Sequence, residues 1–162
     1  MITIRESTPD DVKDIQGLWA DADVMRYVWP GGLQETEEAM REWHERVRTS
    51  RPRVNHYSVF EDGRYCGETQ YAIDRETRSA SLDIKLFGFA RGRGIAAQAL
   101  TYAIGEAFRN GAETVWVDPH RDNAKAIALY QRLGFVRKEM PAHVAEMGED
   151  PDRYLYFELK KE

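Results

Sequence analysis

The sequence predicts one α/β domain (α+β) in which a mixed, mostly antiparallel sheet is flanked by about four helices. Three observations support this fold class. Several segments alternate apolar and polar residues, as half-buried strands do. Others repeat apolar residues every three or four positions, as amphipathic helices do. The chain has 162 residues, 42% of them hydrophobic, which suffices for one core, so we expect residues 1–162 to form a single domain.

The N-terminal part of the chain is predicted to form one strand and two helices. The stretch "MITIRES" alternates as a strand does, and "TPDDVKDIQGLWAD" follows with Thr8 as N-cap and Pro9 in the first helical turn. A loop containing "WPGG" then leads to a second helix, expected at about 35–48, whose apolar residues recur at helical spacing.

The middle of the chain is predicted to form three antiparallel strands. The stretch "NHYSVFEDGRYCGETQYAID" is typical of two strands joined by a tight turn at Asp62-Gly63. A third strand, "SASLDIKLF", follows the polar turn "DRETR". Because short turns separate these strands, we expect each to pair with the one before it.

The C-terminal part is predicted to alternate helices and strands. A helix should run from Gly94 to about Asn110 and close at Gly111, and "ETVWVDP" should be a strand. Asn123 can cap a helix over 124–133. The stretch "YLYFELK" alternates again and predicts the last strand.

The composition argues against several classes of protein. A net charge of -5 disfavours nonspecific nucleic-acid binding, which normally needs a basic face. No apolar run approaches the roughly 20 residues that cross a bilayer, and no secretion signal is recognisable, so we expect a cytoplasmic protein without a membrane partner. The single cysteine, Cys66, suits a reducing compartment, and His120 lacks a second histidine at metal spacing, so no metal site is expected. A monomer or homodimer is expected.

The turn "RGRGIA", residues 91–96, is the most distinctive feature of the sequence. It lies between the strand "LDIKLF" and the helix "AAQALTYAIGEAF", where unsatisfied backbone N–H groups and the helix dipole attract anions. Glycine lets phosphate oxygens approach the backbone, and Arg91 and Arg93 add positive charge. The turn therefore predicts a phosphate-binding site.

Two other phosphate-binding motifs fit the sequence less well. The G-x-x-x-x-G-K string of a P-loop, followed by Ser or Thr, does not occur. Residues 92–97 do satisfy G-x-G-x-x-A, and Asp118 follows the next strand, as in dinucleotide-binding units. However, hairpins precede the turn, whereas a Rossmann fold places it early in a β-α-β series. A dinucleotide-binding oxidoreductase is thus the weaker alternative, and binding of NAD(P)H would reveal it.

The turn and the later stretch "NAKAIALYQRLGF" together resemble the GNAT family of N-acetyltransferases. "RGRGIA" is similar to the family's Gln/Arg-x-x-Gly-x-Gly/Ala motif, and the resemblance covers residues 83–135. It implies the GNAT acyl-CoA N-acyltransferase fold, in which a parallel pair of strands, at about 83–87 and 114–118, splays apart to admit a thioester. One departure is Gly88, where the family often has Pro.

The resemblance also implies how acetyl-CoA is bound. Backbone amides of the turn, with the Arg91 side chain beside them, would hold the pyrophosphate. Asn123 would contact the cofactor, and the Tyr130 hydroxyl would hydrogen-bond to the departing CoA thiolate. The cofactor-binding residues expected on this basis are Phe87, Arg91, Gly92, Arg93, Gly94, Ile95, Ala96, Asn123 and Tyr130.

Acetyl transfer to an amine also needs a group that accepts a proton. An alkylamine with a pKa of about 10.4 is only about one part in 10³ neutral at pH 7, so a carboxylate near the gap would help. Asp83, which lies mid-strand on the face opposite Leu82 and Ile84, is the first candidate. Asp118, at the end of the next strand, is the second, and Glu68 on the hairpin is the weakest. The expected catalytic residues are therefore Tyr130, Asp83 and Asp118.

The acceptor is predicted to be a small cationic amine. The tract "WVDPHRDNAKAIALYQRLGF", together with Asp83, resembles most closely the branch of aminoglycoside 6'-N-acetyltransferase-like and ribosomal-protein-acetyltransferase-like enzymes. Related small-amine and protein N-terminal acetyltransferases share most of this tract. Acidic residues near the first inter-helix loop and before the last strand favour a cationic acceptor, aminoglycoside-like or polyamine-like. The expected substrate-binding residues are Trp29, Glu68, Asp83 and Asp118. A protein N-terminal amine acetyltransferase and a CoA-binding module without turnover remain alternatives.

Overall fold

Seven strands and five α-helices form the fold of the computed structural model, which describes residues 1–162. Short 3-10 turns lie at Pro9–Asp11 and Gly88–Ala90. In chain order the elements are β1 (Ile2–Glu6), α1 (Val12–Ala20), α2 (Glu37–Ser50), β2 (Val54–Glu61), β3 (Arg64–Ile73), β4 (Ser79–Leu86), α3 (Ile95–Arg109), β5 (Thr114–Val117), α4 (Ala124–Arg132), β6 (Val136–Lys138), α5 (Ala142–Ala145) and β7 (Tyr156–Lys160).

The strands form one sheet in the order β1-β2-β3-β4-β5-β7-β6. Every neighbouring pair is antiparallel except β4 and β5, which are parallel. The predicted mixed, mostly antiparallel sheet is therefore confirmed. Two elements were not predicted: the three-residue β6, which is exposed along its length, and the four-residue α5. Both are too short to produce a periodic pattern.

A proline and an N-cap residue set the starts of the first two helices. At the start of the chain, Pro9 opens a 3-10 turn and α1 follows from Val12, so the predicted single helix is divided in two. The second helix is confirmed but begins at Glu37, because the Thr36 hydroxyl accepts the Ala39 N–H at 3.1 Å and caps it. No helix combines the length and the hydropathy that crossing a bilayer would require.

The parallel pair separates partway along its length. β4 pairs with β5 only from Ser79 to Ser81, opposite Thr114 to Trp116, and then continues to Leu86 alone on that side. Each strand stays with its other neighbour, since β4 remains paired with β3 through Leu86 and β5 with β7 through Val117. A gap therefore opens between the ends of the two strands.

A bulge in β3 decides which face of the sheet its side chains occupy. The β2–β3 register shifts between Val59 and Phe60, which adds one residue to β3 at this point. Cys66 packs on the α3 side with Ile95, whereas Glu68, two residues later, lies on the α1 side. Without the bulge, the strand alternation would place both on one face. Only glycine fits at Gly67, because a Cβ there would lie 2.0 Å from the Lys85 carbonyl oxygen.

The two faces of β4 have opposite character. Ala80 and Leu82 join the main core with α3, which contributes Leu100 and Ala103. Asp83 and Lys85 alternate with them and point to the face that α1 and α2 cover, as the sequence predicted for Asp83. The charged face of β4 therefore lies next to the gap, opposite the apolar core.

Candidate active site

The turn before α3 presents a row of unused backbone donors. The amide N–H groups of residues 92–97 have no acceptor within the protein, and the first helical bond is from Gln98 to the Gly94 carbonyl. Gly92 and Gly94 have φ angles of 76° and 79°, which side-chain-bearing residues rarely adopt. Space in front of both is open, since a Cβ would meet no atom within 4 Å. This arrangement fits a phosphate or pyrophosphate at the positive end of the α3 dipole.

The two arginines of the turn are held by carboxylates. Arg91 Nη1 donates to Asp23 Oδ2 at 2.7 Å and its Nη2 donates to the Leu86 carbonyl at 3.0 Å. Arg93 pairs with Glu61 at 2.5 Å. Asp23 belongs to the loop between α1 and α2, so its carboxylate lies where an anion bound by Arg91 would compete with it.

We expect Asp23→Asn to strengthen CoA binding. The change releases Arg91 from a competing carboxylate, and a partly exposed ion pair is worth about 0 to 1 kcal/mol, which corresponds to at most about fivefold in Kd. Titration calorimetry with CoA measures this. Asp10→Asn, which removes a carboxylate from an exposed site away from the turn, is the matched control and should leave Kd unchanged. Equal or weaker binding by Asp23→Asn would show that Asp23 does not compete.

Tyr130 lies on α4 below the gap. Its side chain is 93% buried, since only 7% of its surface is exposed, and its hydroxyl makes no hydrogen bond within the protein. Burial raises the pKa of Tyr130, and the nearby Asp83 and Asp118 charges raise it further. The phenol therefore stays protonated and able to donate.

Asn123 Oδ1 accepts the Ala126 N–H at 3.2 Å, which confirms its role as the cap of α4.

Asp118 lies at the end of β5 beside Glu149, which belongs to the segment before β7. Burial, a hydrogen bond with Glu149 and the charges of Glu149 and Asp83 raise the pKa of Asp118 to about 9. No arginine or lysine pairs with either Asp118 or Glu149. Near neutral pH the Asp118 carboxyl group is therefore mostly protonated.

Asp83 has a different environment. Its Oδ2 accepts a short hydrogen bond from Lys85 Nζ, and the Lys85 ammonium lies 3.6 Å from Glu68 Oε1. Burial lowers the pKa of Lys85, but the charges of Asp83 and Glu68 outweigh burial and raise it overall. Lys85 is therefore a cation held between two carboxylates. No sequence motif singled out Lys85, although its position two residues after Asp83 places both side chains on one face of β4.

The prediction that Glu68 binds the substrate is not supported, because its side chain is fully buried in the free protein. Its carboxylate accepts hydrogen bonds from Trp19 Nε1 at 2.9 Å and from His56 Nε2 at 2.6 Å. Burial alone would raise the pKa of Glu68, but His56 and Lys85 lower it to about 2. Glu68 is thus a permanent buried anion. The bulge at Gly67, which no local pattern revealed, places it there.

The structure also locates the remaining predicted residues. Phe87 follows β4 and stacks on Phe89 with ring centroids 5.7 Å apart, beside the turn. Trp29 lies in the α1–α2 loop with 57% of its surface exposed, so its contact with an acceptor stays a prediction. The same loop reaches across the gap, because Tyr27 stacks on His120 at 5.3 Å. His120 is therefore a packing residue that joins two loops.

Comparison with known proteins defines the family. The family model described as Acetyltransferase (GNAT) domain matches residues 1–136. The chain belongs to the GNAT acetyltransferase family, and it is a GNAT-family N-acetyltransferase that uses acetyl-CoA.

Individual relatives are more distant. A stretch of 63 residues, 39% of this chain, is 41% identical to Arabidopsis thaliana N-alpha-acetyltransferase MAK3 and spans 33% of that protein. The structure of yncA, a putative acetyltransferase from Salmonella typhimurium with its cofactor acetyl-CoA, has a TM-score of 0.79 at 20% identity, covering 99% of this chain and 94% of that one. Vibrio cholerae spermidine N-acetyltransferase with CoA and spermine has a TM-score of 0.79 at 17% identity, covering 98% and 95%. The two solved structures share the fold.

Proposed function

We propose that the protein transfers the acetyl group of acetyl-CoA to a primary amine of a small cationic acceptor, by direct attack within a ternary complex. The observation that carries this proposal is the pair Asp118 and Glu149, two carboxyl groups beside the gap that have no cation of their own. An ammonium group placed there would supply the missing positive charge. Cys66 is buried on the α3 side of the sheet and takes no part.

The donor would be held by the turn. The amides of residues 92–97 and the Arg91 side chain suit its diphosphate, and the gap beyond Ser81 and Trp116 suits the narrower chain that carries the acetyl group. Bound acetyl-CoA supplies an activated thioester carbonyl to the acceptor amine. Phe87, which stacks on Phe89 beside the turn, and Asn123, the cap of α4, are our further candidates for cofactor contacts.

Asp118 is our candidate for the proton acceptor. Removing the proton of an amine of pKa about 10.4 at pH 7 costs about 4.6 kcal/mol, so a base of raised pKa is well matched to the task. When the ammonium binds, its charge favours ionisation of Asp118, which prepares the carboxylate. Asp83 is less suited, because Lys85 already neutralises it.

A cavity on the same face offers room for the rest of the acceptor. It measures about 400 Å³, within the range of small-ligand sites, and its lining includes Arg53 together with Ser81 and Trp116, the last paired residues before the gap. Asp74 lies on its wall and supplies a further acidic group. Its two carboxylates, Asp74 and Glu76, outnumber the single guanidinium of Arg53, so the cavity favours the second amine of a polyamine or an aminoglycoside.

We expect Tyr130→Phe to lower kcat by roughly 10²-fold while CoA affinity stays within about twofold. The hydroxyl has no partner in the free protein, so its donor is available to a charge that develops only during reaction, and loss of such a donor typically costs 10² to 10³ in rate. Steady-state kinetics and calorimetry with CoA measure the two quantities. A kcat equal to that of the parent would remove Tyr130 from the reaction.

A protein N-terminal amine is the second candidate acceptor. The partial match to an N-alpha-acetyltransferase favours it, and an α-amino group with a pKa of about 7.7 to 8.0 needs less help from a base.

A thiol-release assay with acetyl-CoA decides between the candidates. Polyamines, aminoglycosides, free amino acids and short peptides are each tested as acceptors at equal concentration. Release with polyamines or aminoglycosides supports the proposal, whereas release with peptides alone favours the N-terminal amine. CoA binding without release for any amine would identify a CoA-binding module without turnover.

A further inference from the structure

We propose that Lys85 is a positioning residue of the acetyl transfer: anchored on Glu68, its ammonium neutralises Asp83 and so leaves Asp118 as the carboxylate that takes the amine's proton. This inference rests on the proposed function, since it presumes that an amine reacts at the gap. Lys85 itself would contact neither the amine nor acetyl-CoA.

The anchor is a buried anion that requires a cation. Glu68 is fully buried, and its two oxygens receive Trp19 Nε1 at 2.9 Å and His56 Nε2 at 2.6 Å. A buried carboxylate without a nearby positive charge is strongly unfavourable. Lys85, whose side chain is only 10% exposed, lies 3.6 Å from Glu68 Oε1 and supplies that charge. The ammonium therefore cannot leave this position at low cost.

The other ring nitrogen of His56 is also held by a hydrogen bond. His56 Nδ1 lies 2.9 Å from the Ser7 hydroxyl, which also lies 3.1 Å from His44 Nε2 on α2. All of these side chains are buried. Because each group has partners on both sides, Glu68 has one orientation, and the position of Lys85 follows from it.

The consequence at the gap is an asymmetry between two aspartates. Asp83, with 36% of its side chain exposed, faces the gap, but its carboxylate accepts a hydrogen bond from the Lys85 ammonium, which balances its charge. Asp118 has Glu149 as its partner and no cation. The groups that face this region are Glu68 from β3, Asp118 from the end of β5, Tyr130 from α4 and Glu149 from the segment before β7, with His56 behind Glu68. Lys85 is the cation that lies between Asp83 and Glu68.

Three variants test the inference through the pKa of Asp118, measured by ¹³C NMR titration of labelled carboxyl groups in the ligand-free protein. Lys85→Met exposes Asp118 to the Asp83 charge and should raise its pKa by about one unit, as nearby like charges do. Asp83→Asn removes one of the two carboxylates beside the Lys85 ammonium and should lower the pKa of Asp118. The double variant should return it close to the parent value. Lys85→Arg, which keeps the charge, is the control and should leave the pKa close to that of the parent.

The outcomes separate positioning from a merely structural role. Loss of a structural lysine would change the melting temperature without the opposite shifts or their compensation in the double variant, and that result would overturn the inference. If Lys85→Met does not fold, Asp83→Asn alone decides, because this variant keeps the Lys85 and Glu68 pair. A pKa of Asp118 equal to that of the parent would then contradict the inference.

Steady-state kinetics provide a second test, with the amine that the thiol-release assay identifies as the acceptor. The pH profile of kcat/KM should shift in the same direction as the Asp118 pKa in each variant. A loss of 10² to 10⁴ in kcat for Asp83→Asn would instead identify Asp83 as the base and overturn the inference. The NMR measurement needs no acetylation, so a parent protein that acetylates no amine would refute the proposed function while still leaving the effect of Lys85 on Asp118 measurable.

Discussion

Gly94→Glu is expected to abolish CoA binding, with a loss in affinity of more than about 100-fold. The new carboxylate would stand at the row of free amides, where a like charge beside the diphosphate costs several kcal/mol. The substitution would also strain the backbone, since Gly94 has a φ of 79° and a residue with a side chain is less stable in that conformation by roughly 1 to 2 kcal/mol. Titration calorimetry with CoA measures the effect.

The matched control is Gly94→Ala. A Cβ at this position meets no atom within 4 Å, so alanine carries the backbone cost without the negative charge. It should bind CoA with at most about a tenfold loss, which corresponds to about 1.4 kcal/mol. If glutamate and alanine weaken binding equally, the turn matters for folding and not for an anion.

Asp118→Asn is expected to lower kcat by 10² to 10⁴, the usual contribution of a placed base. Asparagine matches the carboxyl group in size and resembles its protonated form, so the fold should not suffer. The raised pKa of Asp118 means that the folded state favours the protonated carboxyl, and stability from this source is lost as the pH rises toward about 9. The melting temperature of the variant near neutral pH should therefore equal or exceed that of the parent.

The pH profile identifies the base more specifically than the rate alone. In the parent, kcat/KM should rise with pH and level off near 9, where Asp118 ionises. In the variant the rise should continue toward the pKa of the amine, about 10.4 for an alkylamine. Asp122→Asn, in the exposed loop that follows, is the control and should keep the parent profile. An unchanged profile in Asp118→Asn would exclude Asp118 as the base.

The turn before α3 could be predicted from the sequence because its determinants are local. Two glycines, a helix start and adjacent arginines all lie within 91–96, and the structure confirms the free amides and adds positive φ angles at both glycines. The order of strands and helices was also predictable, since each long element carries its own period. The short β6 and α5 carry too few residues for a period and are held by pairing with β7 and by packing on Trp116.

The environments of the carboxylates could not be predicted, because they depend on contacts between distant segments. Glu68 looked like a substrate ligand until the bulge at Gly67 turned it beneath Trp19. Asp83 and Asp118 looked equivalent, each an aspartate at a strand beside the gap. What separates them is Lys85 next to one and Glu149, about thirty residues along the chain, next to the other.

A crystal structure with CoA and a cationic amine such as spermidine tests the central claim most directly. We predict diphosphate oxygens accepting from the amides of residues 92–97 and the reacting nitrogen within about 3 Å of the Asp118 carboxylate, the reach of a proton acceptor. A diphosphate bound elsewhere, or an amine held by Asp83 with Asp118 uncontacted, would contradict the account.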